Sequence, residues 1–423
     1  MTTTRRQFLR NAGATGTGAL FLSGCAGMGG GSGKVVVIGG GFGGATAARY
    51  VKMWSPNSEV TLLEPSRSYV TCPFSNYVLG GFNTMDKLAQ GYGGLTKAGV
   101  KVIHEAAISV DSQKRTVTTA SGTIPYDRLI VSPGIDFVWD KIAGYSEADA
   151  ERAPHAWKAG AQTALLAKQI QSMPNGGVMV ISVPAGPFRC PPGPYERAST
   201  VAWYLKKHKP RSKIIIVDPA DGFAKQGLFI EGWKKHYGAM IKWVPGKDGG
   251  KVERVDVKNR TIKTEGETIK AAVMNIIPPQ RAGAIARTIG IADGTGWCPI
   301  DPLTMESKLI KGIHVIGDAT IAPPMPKSGT SANTQAKIAA AAVVEMLGGG
   351  MPASQVLSNT CYSLVTPDWG ISVTAVYQNT DKGIVAVKDS GGVSPAGRDD
   401  NFRMQEAKYA RGWYESITKD AWG

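Results

Sequence analysis

Cysteine is the residue type best suited to redox chemistry, and two cysteines of this chain of 423 residues lie in segments where such chemistry is expected. Cys190 lies in the proline-rich segment Arg189-Cys190-Pro191-Pro192-Gly193-Pro194, and Cys361 lies far along the chain in Asn359-Thr360-Cys361-Tyr362-Ser363. Only folding can bring the two sulfurs together. A disulfide between them would close a long loop and add several kcal/mol of stability in the chain-entropy description. The pair is therefore either a structural cross-link between domains or a reactive disulfide, and composition does not choose between them.

The remaining cysteines are judged singly, because five cysteines are too few for a disulfide scaffold. Cys298 is predicted to be an ordinary buried thiol with no role. Cys72 follows the second predicted strand, and a buried small hydrophobic residue is the default expectation for it.

A glycine-rich turn near the N-terminus predicts a dinucleotide site. A β-branched strand, Lys34–Ile38, is followed by Gly39-Gly40-Gly41-Phe42-Gly43-Gly44 and by a helical stretch from Ala45 to about Met53. Glycines at this G-x-G-x-x-G spacing let a pyrophosphate approach backbone N–H groups at a helix N-terminus. The next strand, Glu59–Leu63, ends at Glu64, where a carboxylate would accept hydrogen bonds from ribose hydroxyls.

Two later segments resemble the recurring pieces of flavoproteins that contain two dinucleotide-binding domains. One is a predicted strand over Thr123–Gly134, and the other runs over Gly312–Asp318 and ends in Gly317-Asp318. That resemblance implies that Asp318 holds the ribityl chain of FAD and that Gly134 and Gly317 lie at the cofactor. An alanine-rich helix from about Ser331 to Leu347 would direct its positive end at the flavin.

A second strand–helix–strand unit is predicted from strands Gly177–Val183 and Lys213–Val217 and a helix around Tyr195–Lys207. Its first turn, residues 184–194, is rich in proline, which lacks the N–H donors of a phosphate cradle. NAD(P)H is therefore not expected to be the electron donor. Cys190 stands in this turn, where a reductant facing a flavin would be placed, and this favours the reactive disulfide.

The predicted fold class is α/β, with two Rossmann-like domains of the flavin disulfide-reductase type and a C-terminal α+β closing domain. The predicted bounds are 33–145 with 281–350 for a discontinuous FAD domain, 146–280 for the second Rossmann-like domain and 355–423 for the closing domain.

Residues 1–30 are predicted to be a leader, because Arg5-Arg6 is followed by Phe8-Leu9 and a weakly apolar stretch, a twin-arginine export pattern. This predicts a periplasmic protein. Leu22-Ser23-Gly24-Cys25 also resembles a bacterial lipobox, so Cys25 is either lipidated and membrane-tethered or discarded with the leader. No segment offers 18 consecutive apolar residues, and no transmembrane segment is predicted.

The chain is basic, with 48 Lys and Arg against 33 Asp and Glu and a formal net charge of +15. Such a surplus suits nucleic acid, an anionic surface or an acidic protein. Nucleic acid is not expected in an exported compartment, so an acidic protein partner is the favoured interpretation.

The sequence resembles the flavoprotein subunit of flavocytochrome c sulfide dehydrogenase over nearly all of the chain after the leader. The resemblance rests on four segments: residues 37–44, Tyr69-Val70-Thr71-Cys72-Pro73-Phe74-Ser75-Asn76, Arg189–Arg197 and Asn359–Ser363. The segments that contain cysteine are the specific ones.

The resemblance implies a role for each matching residue. Cys72 matches the cysteine that joins the flavin 8α-methyl group, Cys190 and Cys361 match the redox-active pair, and Glu196 matches an acid beside that pair. The substrate would be hydrosulfide and the electron acceptor a c-type cytochrome subunit. This chain has no Cys-x-x-Cys-His motif, so the haem must lie on another chain.

Three alternatives remain open from the residues. Glu196 could be a solvated acid at the start of a helix, stabilised by the helix dipole. The protein could be a peripheral sulfide:quinone oxidoreductase, although the charged C-terminal segment does not resemble a membrane-dipping anchor. It could also be a flavin electron carrier without catalytic activity whose disulfide is structural.

Overall fold

The computed structural model describes residues 31–423, so the predicted leader, including Arg5, Arg6 and Cys25, lies outside the described residues. The first elements, up to residue 137, are β1 (Lys34–Ile38), α1 (Phe42–Trp54), β2 (Glu59–Leu63), β3 (Ser68–Val70), α2 (Ser75–Leu79), β4 (Ala89–Gly91), α3 (Gly93–Lys97), β5 (Lys101–Ile103), β6 (Ser109–Asp111), β7 (Thr116–Thr119), β8 (Gly122–Pro125), β9 (Arg128–Val131) and β10 (Ile135–Phe137).

The middle of the chain, residues 161–289, forms α4 (Ala161–Ser172), β11 (Val178–Ser182), α5 (Gly193–His208), β12 (Lys213–Val217), α6 (Gln226–Tyr237), β13 (Ile241–Val244), β14 (Val252–Asp256), β15 (Thr261–Thr264), β16 (Thr268–Lys270), β17 (Val273–Ile276), β18 (Gln280–Ala282) and α7 (Ala284–Ile289). The last elements are β19 (Cys298–Pro299), β20 (Ile313–Val315), β21 (Thr320–Ile321), α8 (Gly329–Leu347), β22 (Val356–Thr366), β23 (Trp369–Thr380), β24 (Gly383–Ala386), β25 (Gly392–Val393) and α9 (Asp400–Trp422).

A five-stranded parallel sheet, in the order β20-β9-β1-β2-β5, forms the first layer. Its central strand β1 is a continuous run of buried valines, as expected for a parallel strand that is covered on both faces. Strand β20 joins from the later part of the chain, pairing Ile313 with Leu129. Helices α1 and α8 pack against each other through small residues.

The segment predicted as one strand over Thr123–Gly134 is divided in the structure. Strand β8 pairs with β7 in a small antiparallel sheet, whereas β9 pairs with β1 in the parallel sheet. The chain changes sheets at Tyr126 and Asp127, where the Asp127 carboxylate accepts a hydrogen bond from the Lys34 N–H over 2.7 Å. The two sheets impose different strand directions, so one continuous strand cannot serve both.

A second parallel sheet has the order β13-β12-β11-β17, and α5 connects β11 to β12. Residues 356–393 form an antiparallel sheet in which β22 pairs with β23 along nearly its whole length. Helix α9 packs on β23 and α1. Together these layers confirm the predicted α/β class with two Rossmann-like units and a closing α+β unit. The exact domain bounds stay a prediction.

Candidate functional site

A cavity of about 580 Å³ lies at the carboxyl ends of the first parallel sheet, which is the usual ligand position in such sheets. Loops from both Rossmann-like units and strand β22 contribute to its walls. Nearly all of the site residues predicted from the sequence line this cavity, namely Gly39, Gly40, Gly41, Phe42, Gly43, Glu64, Cys72, Gly134, Cys190, Glu196, Gly317, Asp318 and Cys361. The remaining residue, Gly44, lies behind the glycine turn.

The glycine turn depends on a very close backbone approach. Gly39 has a φ of +94°, and a Cβ on Gly44 would lie 1.7 Å from the Gly39 carbonyl oxygen. Only glycine fits at position 44, so the first turn of α1 can begin directly after the turn. The helix starts at Phe42 rather than at Ala45 as predicted. The structure therefore directs a helix N-terminus into the cavity.

Glu64 lies beside this turn at the end of β2. Its carboxylate accepts hydrogen bonds from the backbone N–H groups of Gly40 and Ser66, each over 2.9 Å. A carboxylate has lone pairs for further donors, so Glu64 can also accept a ribose hydroxyl from the cavity.

The side chain of Asp318 indicates that the cavity binds a polar molecule. Its Oδ1 atom is buried and has no hydrogen-bond partner among the described residues, which is costly for a carboxylate. Burial raises the pKa of Asp318, while the charges of Arg189 and Lys327 oppose that rise. A hydroxyl group of a bound molecule would satisfy this oxygen. The residues therefore fit the polyhydroxylated chain of FAD.

Helix α8 begins at the same end of the cavity. Ser328 caps it by accepting the Ser331 N–H over 3.0 Å, and Gly329 and Thr330 line the cavity. The Thr330 hydroxyl donates to the Thr360 carbonyl over 2.8 Å. This bond connects the start of α8 to Thr360, the strand residue next to Cys361.

Cys190 and Cys361 both line the cavity, and none of the cysteines at positions 72, 190, 298 and 361 is in a disulfide in the structure. Cys190 adopts a φ of +55° and its N–H donates to the Lys327 carbonyl over 2.8 Å. Burial, followed by the negative charges of Cys361 and Glu196, raises the pKa of Cys190 well above its usual range. The two thiols are thus electrostatically coupled, and their disulfide stays a prediction.

Glu196 lies in the first turn of α5 and is only 8% exposed. The alternative of a solvated helix-start acid is therefore wrong. Burial raises the pKa of Glu196, and hydrogen bonding by Tyr77, the charge of Lys225 and the amide of Asn76 oppose the rise. A carboxyl group whose pKa is raised by burial holds its proton to a higher pH than a solvated one.

Cys72 is half-buried and makes polar contacts, unlike the buried small hydrophobic residue that was its default expectation. The Arg189 guanidinium donates to Cys72 Sγ over 2.8 Å, and Cys72 Sγ donates to the Trp157 carbonyl over 3.2 Å. Cys298, in contrast, is fully buried and is not among the residues lining the cavity, as predicted.

Sequence reasoning missed three cations at this site. Arg189 contacts Cys72, Lys327 donates to the Asp318 carbonyl over 2.8 Å, and Lys225 lies beside Cys361. Arg189 directly precedes Cys190 in the sequence, and this position is a signal that could have identified it. Nothing in the local sequence of Lys225 distinguishes it from a surface lysine.

The acid at the end of β12 occupies the position at which a second Rossmann unit would bind a ribose. Asp218 accepts hydrogen bonds from the Tyr195 hydroxyl over 2.5 Å and from Trp243 Nε1 over 3.0 Å. Tyr195 also stacks on Phe223 with ring centroids 3.6 Å apart. Side chains of the same unit therefore bind this acid, and the expectation that NAD(P)H is not the donor stays a prediction.

Comparison with protein families gives three matches. Residues 33–164 match the pyridine nucleotide-disulphide oxidoreductase family, residues 163–278 match the central region of the sulfide dehydrogenase [flavocytochrome c] flavoprotein chain, and residues 353–422 match the flavin-binding region of flavocytochrome c sulphide dehydrogenase.

Individual relatives agree with these families. The chain is 56% identical over 48 residues to the sulfide dehydrogenase [flavocytochrome c] flavoprotein chain of Chlorobaculum thiosulfatiphilum, covering 11% of this chain and 100% of that sequence. It is 24% identical over 328 residues to the mitochondrial sulfide:quinone oxidoreductase of Mus musculus, covering 72% and 68%. The structure of the Aquifex aeolicus sulfide:quinone oxidoreductase superimposes with a TM-score of 0.71 at 18% identity, covering 92% of each chain.

The fold, the cavity and these matches define a flavoprotein oxidoreductase of the class with two dinucleotide-binding domains. Its flavin-binding regions are those of an FAD enzyme. The chain belongs to the family of the flavoprotein chains of flavocytochrome c sulfide dehydrogenase, and it is an oxidoreductase that acts on sulfide.

Proposed function

We propose that the protein oxidises sulfide to zero-valent sulfur at a disulfide between Cys190 and Cys361, with FAD in the adjoining cavity and a separate c-type cytochrome subunit as electron acceptor. The observation that carries this proposal is that both cysteines line one cavity together with the glycine turn and the unpaired carboxylate of Asp318. Two sulfurs distant in sequence would have no reason to share a cofactor cavity if their bond were only structural.

The sulfur chemistry follows from thiol–disulfide exchange. Hydrosulfide attacks one sulfur of the disulfide, forms a persulfide on that cysteine and releases the other cysteine as a thiolate. A second hydrosulfide then attacks the outer sulfur of the persulfide and takes it away as polysulfide, and the cysteine that held it is left as a thiolate. The two cysteines are then reduced, and the two-electron oxidation that restores their disulfide is the chemistry that FAD would supply. Burial raises the pKa values of both thiols, so the free thiolate is a high-energy species in this pocket and a good donor to an adjacent acceptor.

Glu196 is the proposed proton carrier for this chemistry. It lines the cavity with both cysteines, and its carboxylate is close enough to raise the pKa values of both. Burial raises its own pKa, and a carboxyl group in the cavity wall can take the proton of incoming sulfide and release it again. Asn76 Nδ2 lies 3.5 Å from Glu196 Oε2 and helps to orient the carboxyl group.

When bound, FAD accepts an electron pair and returns the electrons singly. The residues of this chain would hold it: the glycine turn and the start of α1 face the pyrophosphate, Glu64 faces a ribose, and Asp318 faces the ribityl chain. Cys72 would join the flavin through a thioether. Its sulfur lies in the cavity wall in contact with the Arg189 guanidinium.

The packing of the C-terminal helix favours a cytochrome over a quinone as the electron acceptor. Helix α9 packs against β23 and α1, and Trp422 at its end is 3% exposed and donates to the Gly40 carbonyl over 3.2 Å. Its apolar side is therefore already buried in the protein. Within residues 31–423 no helix is long and apolar enough to span a membrane. The quinone alternative is favoured by the similarity to sulfide:quinone oxidoreductases.

Export completes the proposal. The Arg5-Arg6 leader would direct the folded flavoprotein to the periplasm, and Cys25 would either carry a lipid or be removed with the leader. A periplasmic site would place the protein beside c-type cytochromes.

The acceptor is tested by reducing the purified protein with hydrosulfide without oxygen, and then adding either a c-type cytochrome or a soluble quinone. We expect the visible flavin band to bleach, and to return on mixing with the cytochrome but not with the quinone. Recovery with the quinone alone would replace this proposal with the quinone alternative.

A further inference from the structure

Lys225 is a buried lysine that forms no salt bridge with a carboxylate within residues 31–423, an unusual arrangement that needs an explanation. It is 6% exposed and immediately precedes α6. Its Nζ atom donates to the Ser363 hydroxyl over 2.8 Å and to the Cys361 carbonyl over 3.1 Å, and it lies 4.0 Å from Cys361 Sγ. The ammonium group thus directs its three donors at atoms of Cys361 and Ser363, both in strand β22.

The charges around the cysteine pair leave Lys225 as the cation nearest to Cys361. Glu196 from α5 contributes negative charge beside both cysteines, and Arg189 and Arg197 contribute positive charge on the side of Cys190. Tyr77 from α2 contributes a buried hydroxyl whose pKa is raised well above its usual value. Arg411 from α9 acts on Tyr77. The positive charge of Lys225 opposes the rise in pKa of both cysteines. The cysteine sulfur that its Nζ atom contacts, at 4.0 Å, is that of Cys361.

We propose that Lys225 makes the Cys190–Cys361 disulfide chemically asymmetric, by stabilising the thiolate that Cys361 becomes and thereby directing hydrosulfide to Cys190. This inference rests on the proposed cysteine-pair mechanism. In the step, the hydrosulfide sulfur bonds to Cys190 Sγ, the Cys190–Cys361 bond breaks, and its electron pair stays on Cys361. The products are a Cys190 persulfide and a Cys361 thiolate, so atoms and charge balance without a further reactant.

The asymmetry follows from how leaving groups behave in disulfide exchange. The sulfur whose thiolate is more stable leaves faster, and an opposite charge within about 4–6 Å favours an anion by about 1–3 pKa units. The charges of Lys225, Arg189 and Arg197 act on Cys190 as well. Burial and the negative charges of Cys361 and Glu196 nevertheless raise the pKa of Cys190 well above its usual range, and the lysine contact at 4.0 Å is made with Cys361 Sγ.

The experiment compares the wild-type holoenzyme with Lys225→Gln, Lys225→Arg and the control Lys234→Gln, which alters an exposed lysine of α6. The rate of flavin bleaching by hydrosulfide is measured as a function of pH. In addition, the wild type receives one equivalent of hydrosulfide without oxygen, is alkylated, and is digested to find by mass spectrometry which cysteine carries the extra sulfur.

We expect Lys225→Gln to bleach about tenfold or more slowly, Lys225→Arg to recover most of the rate because the charge is kept, and Lys234→Gln to match the wild type. A structural role alone would not make the rate follow the charge. We expect the persulfide on Cys190. Wild-type rates in Lys225→Gln, or a persulfide on Cys361, would overturn the inference, and the second result remains decisive even if Lys225→Gln does not fold.

Failure of the underlying mechanism gives a different result. If Cys190→Ser and Cys361→Ser both bleach at the wild-type rate, the cysteine-pair proposal is wrong. If these variants are inactive while Lys225→Gln is normal, only the role of Lys225 is wrong.

Discussion

The Arg189 guanidinium donates a hydrogen bond to Cys72 Sγ over 2.8 Å, although the two residues come from different Rossmann-like units. Arg189 is the neighbour of Cys190 in sequence. One short segment, Arg189-Cys190, thus contacts the proposed flavin attachment point with its first residue and supplies a proposed redox sulfur with its second. The relationship explains how a single loop can place attachment chemistry and sulfur chemistry at one cavity.

Replacing Cys72 with alanine is expected to convert the flavin from covalent to dissociable. Acid precipitation should leave yellow colour in the pellet for the wild type and in the supernatant for Cys72→Ala. Cys298→Ala serves as a control because Cys298 is fully buried and is not among the residues lining the cavity. Colour released from the wild type would show that there is no thioether at Cys72.

Asp318→Asn is expected to weaken flavin binding, and this is best measured in the Cys72→Ala background, where the flavin can dissociate. The buried Oδ1 atom has no hydrogen-bond partner in the part of the chain that the structure describes, and a hydrogen bond to a charged group contributes about 1.5–3 kcal/mol. The dissociation constant should rise about tenfold or more, as measured by fluorescence titration. Asp140→Asn, at an exposed position, should leave it unchanged. Equal affinities in both variants would contradict the assignment of Asp318.

Glu196→Gln is expected to abolish one rising limb of the pH profile of the rate at which sulfide bleaches the flavin. In the wild type the rate should rise with pH through the raised pKa of Glu196, because the carboxylate is the proton acceptor. The variant should be slower by about a hundredfold at neutral pH and should lack this limb. Glu415→Gln, at an exposed position on α9, should behave as the wild type. An unchanged limb would assign the proton transfer to another group.

The same raised pKa makes an independent prediction for stability. Because burial favours the protonated form, the folded protein gains stability from Glu196 below its unfolded pKa and loses that contribution as pH rises through the folded pKa. Glu196→Gln should therefore unfold at a higher temperature than the wild type at pH 8 and show little difference at pH 4. A lower unfolding temperature at pH 8 would contradict the burial argument.

The cytochrome complex is expected to depend on salt, because the chain carries a net charge of +15 and keeps about +12 without the leader arginines Arg5, Arg6 and Arg10. The screening length falls from about 30 Å at 0.01 M to about 3 Å at 1 M salt. The dissociation constant of an acidic c-type cytochrome should rise roughly tenfold or more across this range, which surface plasmon resonance can measure. Binding that does not respond to salt would remove the charge argument for this partner.

The parts of the fold predicted best are those specified by local sequence. Strands β1, β2 and β12 begin and end where the sequence places them, because each is a run of β-branched or apolar residues buried on both faces. The glycine turn is also local, since its spacing alone prescribes the close approach of Gly44 to Gly39. In contrast, the division of residues 122–131 between two sheets depends on distant strands.

The site was predicted where residues form a contiguous motif and missed where the fold assembles it. Cys190 and Glu196 both belong to the segment Arg189–Arg197, and both line the cavity. Lys225 has no such signal, because its burial depends on Ser363 and Cys361 in a strand that is far away in sequence. The burial of Glu196 likewise depends on packing that one helix-start residue does not show.

The central claim is that the two cavity cysteines oxidise sulfide, and it is tested most directly by hydrosulfide titration of the flavin in Cys361→Ser without oxygen. The visible band is followed by stopped-flow absorbance, with Cys298→Ala as the matched cysteine control. We predict that the bleaching rate of Cys361→Ser falls about a thousandfold or more, whereas Cys298→Ala bleaches as the wild type does. Bleaching of Cys361→Ser at the wild-type rate would contradict the account.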